Sequence, residues 1–207
     1  MKLNVHSIIT GPFQENSYIL SDKLSKDCIL IDPGDEAEKI SYFIDDNNFN
    51  PIAIINTHAH LDHIGAVTEI KNKYNIPFYL HSAEEQILES YPVSCRMFGM
   101  EVKPVPVVDN WIHKAGKLTI GEFNFSIIET PGHTPGGCCY LIENRLFVGD
   151  TLFRGSVGRT DLPGGNWDIL EKSLLYIMEH VDLDVIIYSG HGKETNLRTE
   201  KEKNPFL

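Results

Sequence analysis

The sequence contains no uninterrupted apolar run approaching the ~20 residues that a helix needs to cross a bilayer, which excludes an integral helical membrane protein. Its N-terminus lacks the long apolar core and small-residue cleavage site of a secretory signal; residues 1–6 alternate like a strand instead. The cytoplasm is therefore the expected compartment, with no membrane partner. Cysteine is scarce, and Cys28, Cys95, Cys138 and Cys139 form no Cys-x-x-Cys pair. The adjacent two would close only a strained ring, so four reduced, core-packing thiols are expected. Positive charge is also in short supply: 18 Lys and Arg stand against 29 Asp and Glu, a formal net charge of −11. Nucleic-acid binders concentrate cations to displace counterions, so nucleic acid is excluded as a partner. There is no Gly-x-Ser-x-Gly elbow to mark a serine nucleophile. No linker or low-complexity tract divides the 207 residues, a length that suits one domain spanning 1–207.

What is present is an alternation of strand and helix patterns. Residues 17–20, 28–32 and 51–56 read as strands, and 35–46 and 64–74 carry apolar residues at helical spacing. Between residues 89 and 111, Pro92, Pro104 and Pro106 predict an extended surface excursion without long regular elements, placed to flank a site. Residues 117–129, 138–143 and 145–149 then read as antiparallel strands, the last two joined by a tight turn at Glu143-Asn144. A helix over 167–179 and a buried strand over 184–189 follow. Asp32 and Asp150 each end an apolar strand at a turn, and each half then runs through a helix into another apolar strand. Two such halves predict an α+β sandwich of two sheets with helices outside.

Histidine is concentrated in one loop. His58, His60 and His63 fall in the pattern His-x-His-x-Asp-His directly after a predicted strand, where ligands of open α/β sheets gather. Neutral imidazole is a favoured ligand of zinc and similar ions, and Asp62 sits where a carboxylate can hold a second one. One loop cannot complete a buried site. His133 lies in the rigid turn Thr130-Pro131-Gly132-His133-Thr134-Pro135-Gly136-Gly137, Asp150 ends the strand 145–149, and His191 stands in Gly190-His191-Gly192. Seven ligands exceed one tetrahedral ion and fit two. The expected first set is His58, His60 and His133, the second Asp62, His63 and His191, with Asp150 as the bridge. Such a pair lowers the pKa of a water between the ions and supplies the nucleophile. His6, His81, His113 and His180 are read as ordinary surface or core histidines. Asp32 either orients a metal-binding histidine or caps the helix beginning near Asp35.

Together Thr57-His58-Ala59-His60-Leu61-Asp62-His63, the His133 turn, Gly149-Asp150-Thr151-Leu152-Phe153 and Ser189-Gly190-His191-Gly192 resemble the metallo-β-lactamase superfamily, in order and separation, across nearly the whole chain. The resemblance implies a four-layer αβ/βα sandwich with the metals at one edge of the sheets. Within that superfamily, Gly158-Arg159-Thr160-Asp161 and the ending Asn204-Pro205-Phe206-Leu207 resemble the glyoxalase II group, hydroxyacylglutathione hydrolases, in its compact bacterial form. Longer members of that group carry a C-terminal helical domain that helps to hold glutathione, whereas this sequence ends soon after His191.

The resemblance implies a small-molecule thioester as substrate, attack by metal-held hydroxide on the carbonyl, and a role for Asp62 in orienting that hydroxide. The cofactor expectation is two divalent ions, zinc first, with iron or manganese accepted by the same donors. Arg159, Lys193 and Arg198, and more distantly Lys201, are candidate cations for an anionic thiol. The expected assembly is a monomer or homodimer. Two rivals stand beside this reading. Gly158-Arg159-Thr160-Asp161 also resembles persulfide dioxygenases of the same fold, in which His58, His133 and Asp150 would hold one iron. The other rival is a binding protein whose ions only staple the sandwich. A β-lactamase proper is set aside because His63 follows Asp62 and the expected compartment is cytoplasmic.

Overall fold

The computed structural model describes residues 2–207. Two six-stranded mixed sheets face each other. In the first, β1 (Leu3–Thr10), β2 (Glu15–Asp22), β3 (Asp27–Ile31), β4 (Asn50–Ile55), β5 (Phe78–His81) and β6 (Asn110–Ile112) lie in chain order. In the second the order is β14 (Thr195–Asn196), β13 (Ile186–Ser189), β10 (Arg145–Gly149), β9 (Cys138–Ile142), β8 (Phe123–Glu129) and β7 (Gly116–Ile120). The short hairpin β11 (Leu152–Phe153) and β12 (Ser156–Val157) follows β10 in the chain and pairs only with itself. Helices α1 (Ala37–Asp46), α2 (Leu61–Ile64), α3 (Val67–Tyr74), α4 (Glu85–Glu89) and α5 (Tyr91–Met97) belong to the first half, and α6 (Trp167–His180) and α7 (Leu197–Lys203) to the second.

Strand alternation explains why there are four layers. Along β3, Cys28 and Leu30 pack with Ile40 and Ile44 of α1, whereas Ile29 and Ile31 turn the other way onto Phe123, Phe125 and Tyr140 of the second sheet. The second sheet repeats the device: Leu146 and Val148 meet Leu170, Leu174 and Ile177 of α6. Those α6 residues recur at helical spacing, and Asn166 caps the helix by accepting from Ile169 N at 3.1 Å. Three apolar layers therefore separate four structural ones, the αβ/βα sandwich expected from the motifs. All four cysteines are free and buried. No helix among the described residues is long and apolar enough to cross a membrane.

Several local expectations are corrected. The segment 89–111 is not simply extended: it opens with α5, and Tyr91 and Cys95 are buried. Pro92 stands in the first turn of that helix, where its missing N–H has no intrahelical partner to lose. The segment ends as β6, paired in parallel with β5. Residues 117–129 make two strands, because Gly121 at φ +56° turns β7 back onto β8. The helix expected over 64–74 is broken into α2 and α3 around Gly65. A Cβ at Gly65 would lie 2.4 Å from the Gly34 carbonyl oxygen, so the break lets the histidine loop sit against the end of β3.

Candidate metal centre

All seven residues singled out as ligands converge at one edge of the sandwich. His58, His60, Asp62 and His63 follow the C-terminal end of β4, His133 occupies the loop between β8 and β9, Asp150 follows β10, and His191 follows β13. Strand β10 runs parallel to β13, with Gly149 opposite Ser189, so Asp150 and His191 emerge side by side. Gly149 is required there. Its φ is +51°, and a Cβ would fall 2.2 Å from Thr57 Oγ1.

The side chains form two triads, His58 with His60 and His133, and Asp62 with His63 and His191. Within each triad the ligand atoms all lie within 4.8 Å of one another. Asp150 stands between the triads: Oδ2 is 3.6 Å from both His133 Nε2 and His191 Nε2, and Oδ1 is 3.4 Å from His63 Nε2. Asp62 Oδ2 is 3.2 Å from His191 Nε2 and 4.0 Å from His63 Nε2.

Partners on the far ring nitrogens fix which atom each imidazole presents. Thr57 donates its hydroxyl to Asp32 at 2.6 Å, so that hydroxyl accepts the Nδ1 proton of His58 at 3.1 Å. His63 Nδ1 donates to Asp32 Oδ2 at 3.1 Å, His133 Nδ1 to the Arg159 carbonyl at 2.7 Å, and His191 Nδ1 to the Phe13 carbonyl at 3.1 Å. Each of these four rings thus turns Nε2 inward, toward the other members of the cluster. His60 presents Nδ1, 2.9 Å from His133 Nε2. His58 Nε2, His63 Nε2 and Asp150 Oδ1 are buried without a hydrogen-bond partner. Orphaned buried acceptors cost ~1–3 kcal/mol each, and their convergence is what a cation-binding donor set looks like. The residues therefore fit a pair of divalent ions.

Electrostatics agree. Burial pushes His58 and His133 below the ordinary imidazole value, and burial together with the His133 neighbour pushes His60 down to about 3, so all three rings are neutral near pH 7. Burial alone would also lower His63, but the carboxylates of Asp150, Asp32 and Asp62 outweigh it and hold His63 well above the ordinary value. Against burial, which opposes ionisation, His63, His133 and His191 keep Asp150 far below the usual carboxylate range. Asp62 is likewise held low, by the His191 hydrogen bond against burial. The carboxylates are ionised and attract positive charge.

Asp32 is settled as an orienting residue. It accepts from Thr57 N, Thr57 Oγ1 and His63 Nδ1, and does not cap α1, whose N-cap position is Glu36. Sequence reasoning missed Glu84, which is fully buried at the end of a 3₁₀ turn, Ser82–Glu84. Its Oε2 accepts from Ala59 N at 2.8 Å and its Oε1 from Gly136 N at 2.6 Å, tying the histidine loop to the His133 loop. No local pattern reveals this.

The candidate substrate cations are scattered. Arg159 lines the cleft over the site, but its guanidinium is bound to Asp161 at 2.7 and 2.8 Å. Lys193 and Arg198 do not line that cleft: Lys193 is solvent-exposed, and Arg198 projects from α7 onto Asp184 at 2.8 Å. Lys201 is exposed on the same helix. Of the histidines outside the cluster, His81 spans the two sheets through Glu129 at 3.1 Å, and the His6 ring packs near Phe43 and Phe49.

The family model described as the metallo-beta-lactamase superfamily matches residues 10–191. The probable metallo-hydrolase YqgX of Bacillus subtilis is 42% identical over 206 residues, covering 95% of this chain and 94% of that protein. The hydroxyacylglutathione hydrolase GloC of Haemophilus influenzae is 34% identical over 209 residues, covering 99% and 98%. Among solved structures, the BLEG-1 B3 metallo-beta-lactamase superposes with a TM-score of 0.93 at 39% identity, covering 99% of both chains. TTHA1623, crystallised in a di-iron-bound form, superposes with a TM-score of 0.90 at 36% identity, covering 98% of this chain and 100% of that one. With its sandwich, its two ligand triads and these relatives along its full length, the chain belongs to the metallo-β-lactamase superfamily.

Proposed function

We propose that the protein hydrolyses an acyl thioester of a small-molecule thiol at a pair of divalent ions. The observation that carries this reading is the placement of Asp150 between two complete triads. A single-iron dioxygenase site built on His58, His133 and Asp150 would leave the converging Asp62, His63 and His191 without a purpose. We assign zinc to the pair, with iron as the alternative: imidazole and carboxylate accept both, and the related TTHA1623 holds two irons. The 34% identity to a protein named as a hydroxyacylglutathione hydrolase supports a thioester as the substrate class.

His58, His60 and His133 would hold one ion, and Asp62, His63 and His191 the other, with Asp150 shared. Ions so held lower the pKa of a bound water and polarise a carbonyl. The chain's own contribution is positional. Asp62 is ionised, faces the cleft and lies between His63 and His191, so it orients the attacking water through a hydrogen bond and keeps the oxygen lone pair aimed at the carbonyl. Hydrolysis forms the carbonyl carbon–oxygen bond and breaks the carbon–sulfur bond, and the proton shed by water ends on the departing thiolate. Asp32, Thr57 and the Arg159 carbonyl keep the imidazoles in the required tautomers. The site opens into a cleft of about 530 Å³ that also exposes His60, Asp62 and His191, which suits a substrate better than a closed structural site would.

The test is an anaerobic assay of the metal-loaded protein against acyl thioesters, S-lactoylglutathione among them, with glutathione persulfide plus oxygen and the β-lactam nitrocefin as contrasts. Thioester hydrolysis without oxygen uptake is expected. Oxygen consumption with the persulfide, or nitrocefin hydrolysis exceeding that of every thioester, would overturn the reading.

A further inference from the structure

The cleft over the metal centre has a definite chemical character. One wall is α4 and α5 with the residue that follows: Ile87, Val93, Met97 and Phe98. Phe153 and Leu162 also line the cleft. Val93, Met97 and Phe98 are 55%, 69% and 41% exposed, so a band of large apolar side chains faces water beside the reacting centre. Phe98 is braced edge-on against Phe13, ring centroids 5.8 Å apart, which carries the band across to the loop between β1 and β2.

Charge is as informative. Among the described residues lining the cleft, Arg159 is the one lysine or arginine, and both of its recorded bonds go to Asp161. Lys193, Arg198 and Lys201 do not line the cleft, and the chain carries a net charge of −11. A glutathione thioester brings two carboxylates into this cleft. Beyond the metal centre they would meet one cation already paired to Asp161, without the bidentate contacts that normally hold such groups. An apolar group would instead cover the exposed band and gain from each buried methylene.

We propose that the substrate is a thioester with an uncharged, apolar acyl chain that lies along Val93, Met97 and Phe98, and that its thiol portion is uncharged. This rests on the thioesterase reading above and narrows it. The scissile carbonyl sits at the metal centre, and the chain extends away from it over α5, so the wall selects by length and apolarity, not by charge.

Two measurements test it. The first is the kcat/KM of the metal-loaded protein for acetyl, butyryl, hexanoyl and octanoyl esters of N-acetylcysteamine, an uncharged thiol, beside S-lactoylglutathione. A buried methylene is worth roughly fourfold, so kcat/KM should rise at least about tenfold from acetyl to octanoyl, and octanoyl should exceed S-lactoylglutathione. Met97→Lys and Val93→Lys, both at exposed positions, should remove most of that rise, read as the ratio of octanoyl to acetyl kcat/KM in each variant against the parent. The second is calorimetry on chelator-treated protein, where the inert thioether S-octyl-N-acetylcysteamine should bind and S-methylglutathione should not. A flat acyl series, a preference for S-lactoylglutathione, or binding of S-methylglutathione alone would overturn the inference while leaving thioester hydrolysis intact. Failure to cleave any thioester would overturn the parent reading, and this one with it.

Discussion

Asp150→Ala is expected to bring the bound metal from two ions per chain to one or fewer, and to lower kcat/KM on the order of 10³-fold, because several kcal/mol of charge stabilisation depend on the ion pair. Its carboxylate faces His133 and His191 through Oδ2 and His63 through Oδ1, and so touches members of both triads. Nothing larger than glycine fits behind it. A Cβ at Gly190 would lie 2.3 Å from Asp150 Oδ1 and 2.6 Å from His63 Cε1. Asp150→Asn keeps the shape and removes the charge, so it separates the electrostatic role from simple packing and should retain the fold by circular dichroism. Full metal content and full activity in both variants, measured by elemental analysis and the thioester assay, would refute the bridging assignment.

Glu84→Ala should be the most damaging change outside the ligand set. It strands two backbone donors, Ala59 N and Gly136 N, in a buried place, each worth ~1–3 kcal/mol. The expected loss is about 2–4 kcal/mol, which for a chain of this length lowers Tm by roughly 5–15 °C. Because the two donors belong to the loops carrying His58, His60 and His133, metal affinity measured by chelator competition should also fall, about 10–100-fold. The exposed neighbour Glu85→Ala should stay within about 0.5 kcal/mol of the parent and leave metal affinity unaltered. If Glu84→Ala melts with Glu85→Ala and holds metal as tightly as the parent, the two loops are not clamped as described.

The convergence of the seven candidate ligands was legible in the sequence because each stands at a strand end, several beside a residue that punctuates the chain: His133 between Gly132 and Thr134-Pro135, Asp150 after Gly149, His191 between two glycines. The ends of β4 in one sheet and of the paired β10 and β13 in the other share one edge of the sandwich, so local patterns sufficed to gather residues more than a hundred positions apart. The supporting contacts were not legible. Asp32 reaches His63 across 31 positions, and Glu84 reaches Gly136 across 52, and neither distance leaves a periodic trace. The proline count of 89–111 concealed α5, since a proline in a first helical turn costs nothing that a proline elsewhere would. That concealed helix supplies the apolar wall of the cleft, so the candidate metal ligands were easier to read from the sequence than the lining of the cleft. Surface cations carried the least information: with no packing constraint on Arg198 or Lys193, only the folded structure shows that they lie away from the cleft.

The central claim is that this edge of the sandwich holds two ions with Asp150 between them. Anomalous diffraction from crystals of the purified protein, collected at the zinc and iron absorption edges, tests it directly. Two peaks are predicted, ~3.5–4 Å apart as in other two-metal sites, one within His58, His60 and His133 and the other within Asp62, His63 and His191. A single peak in the first triad, in protein crystallised with excess metal, would contradict it.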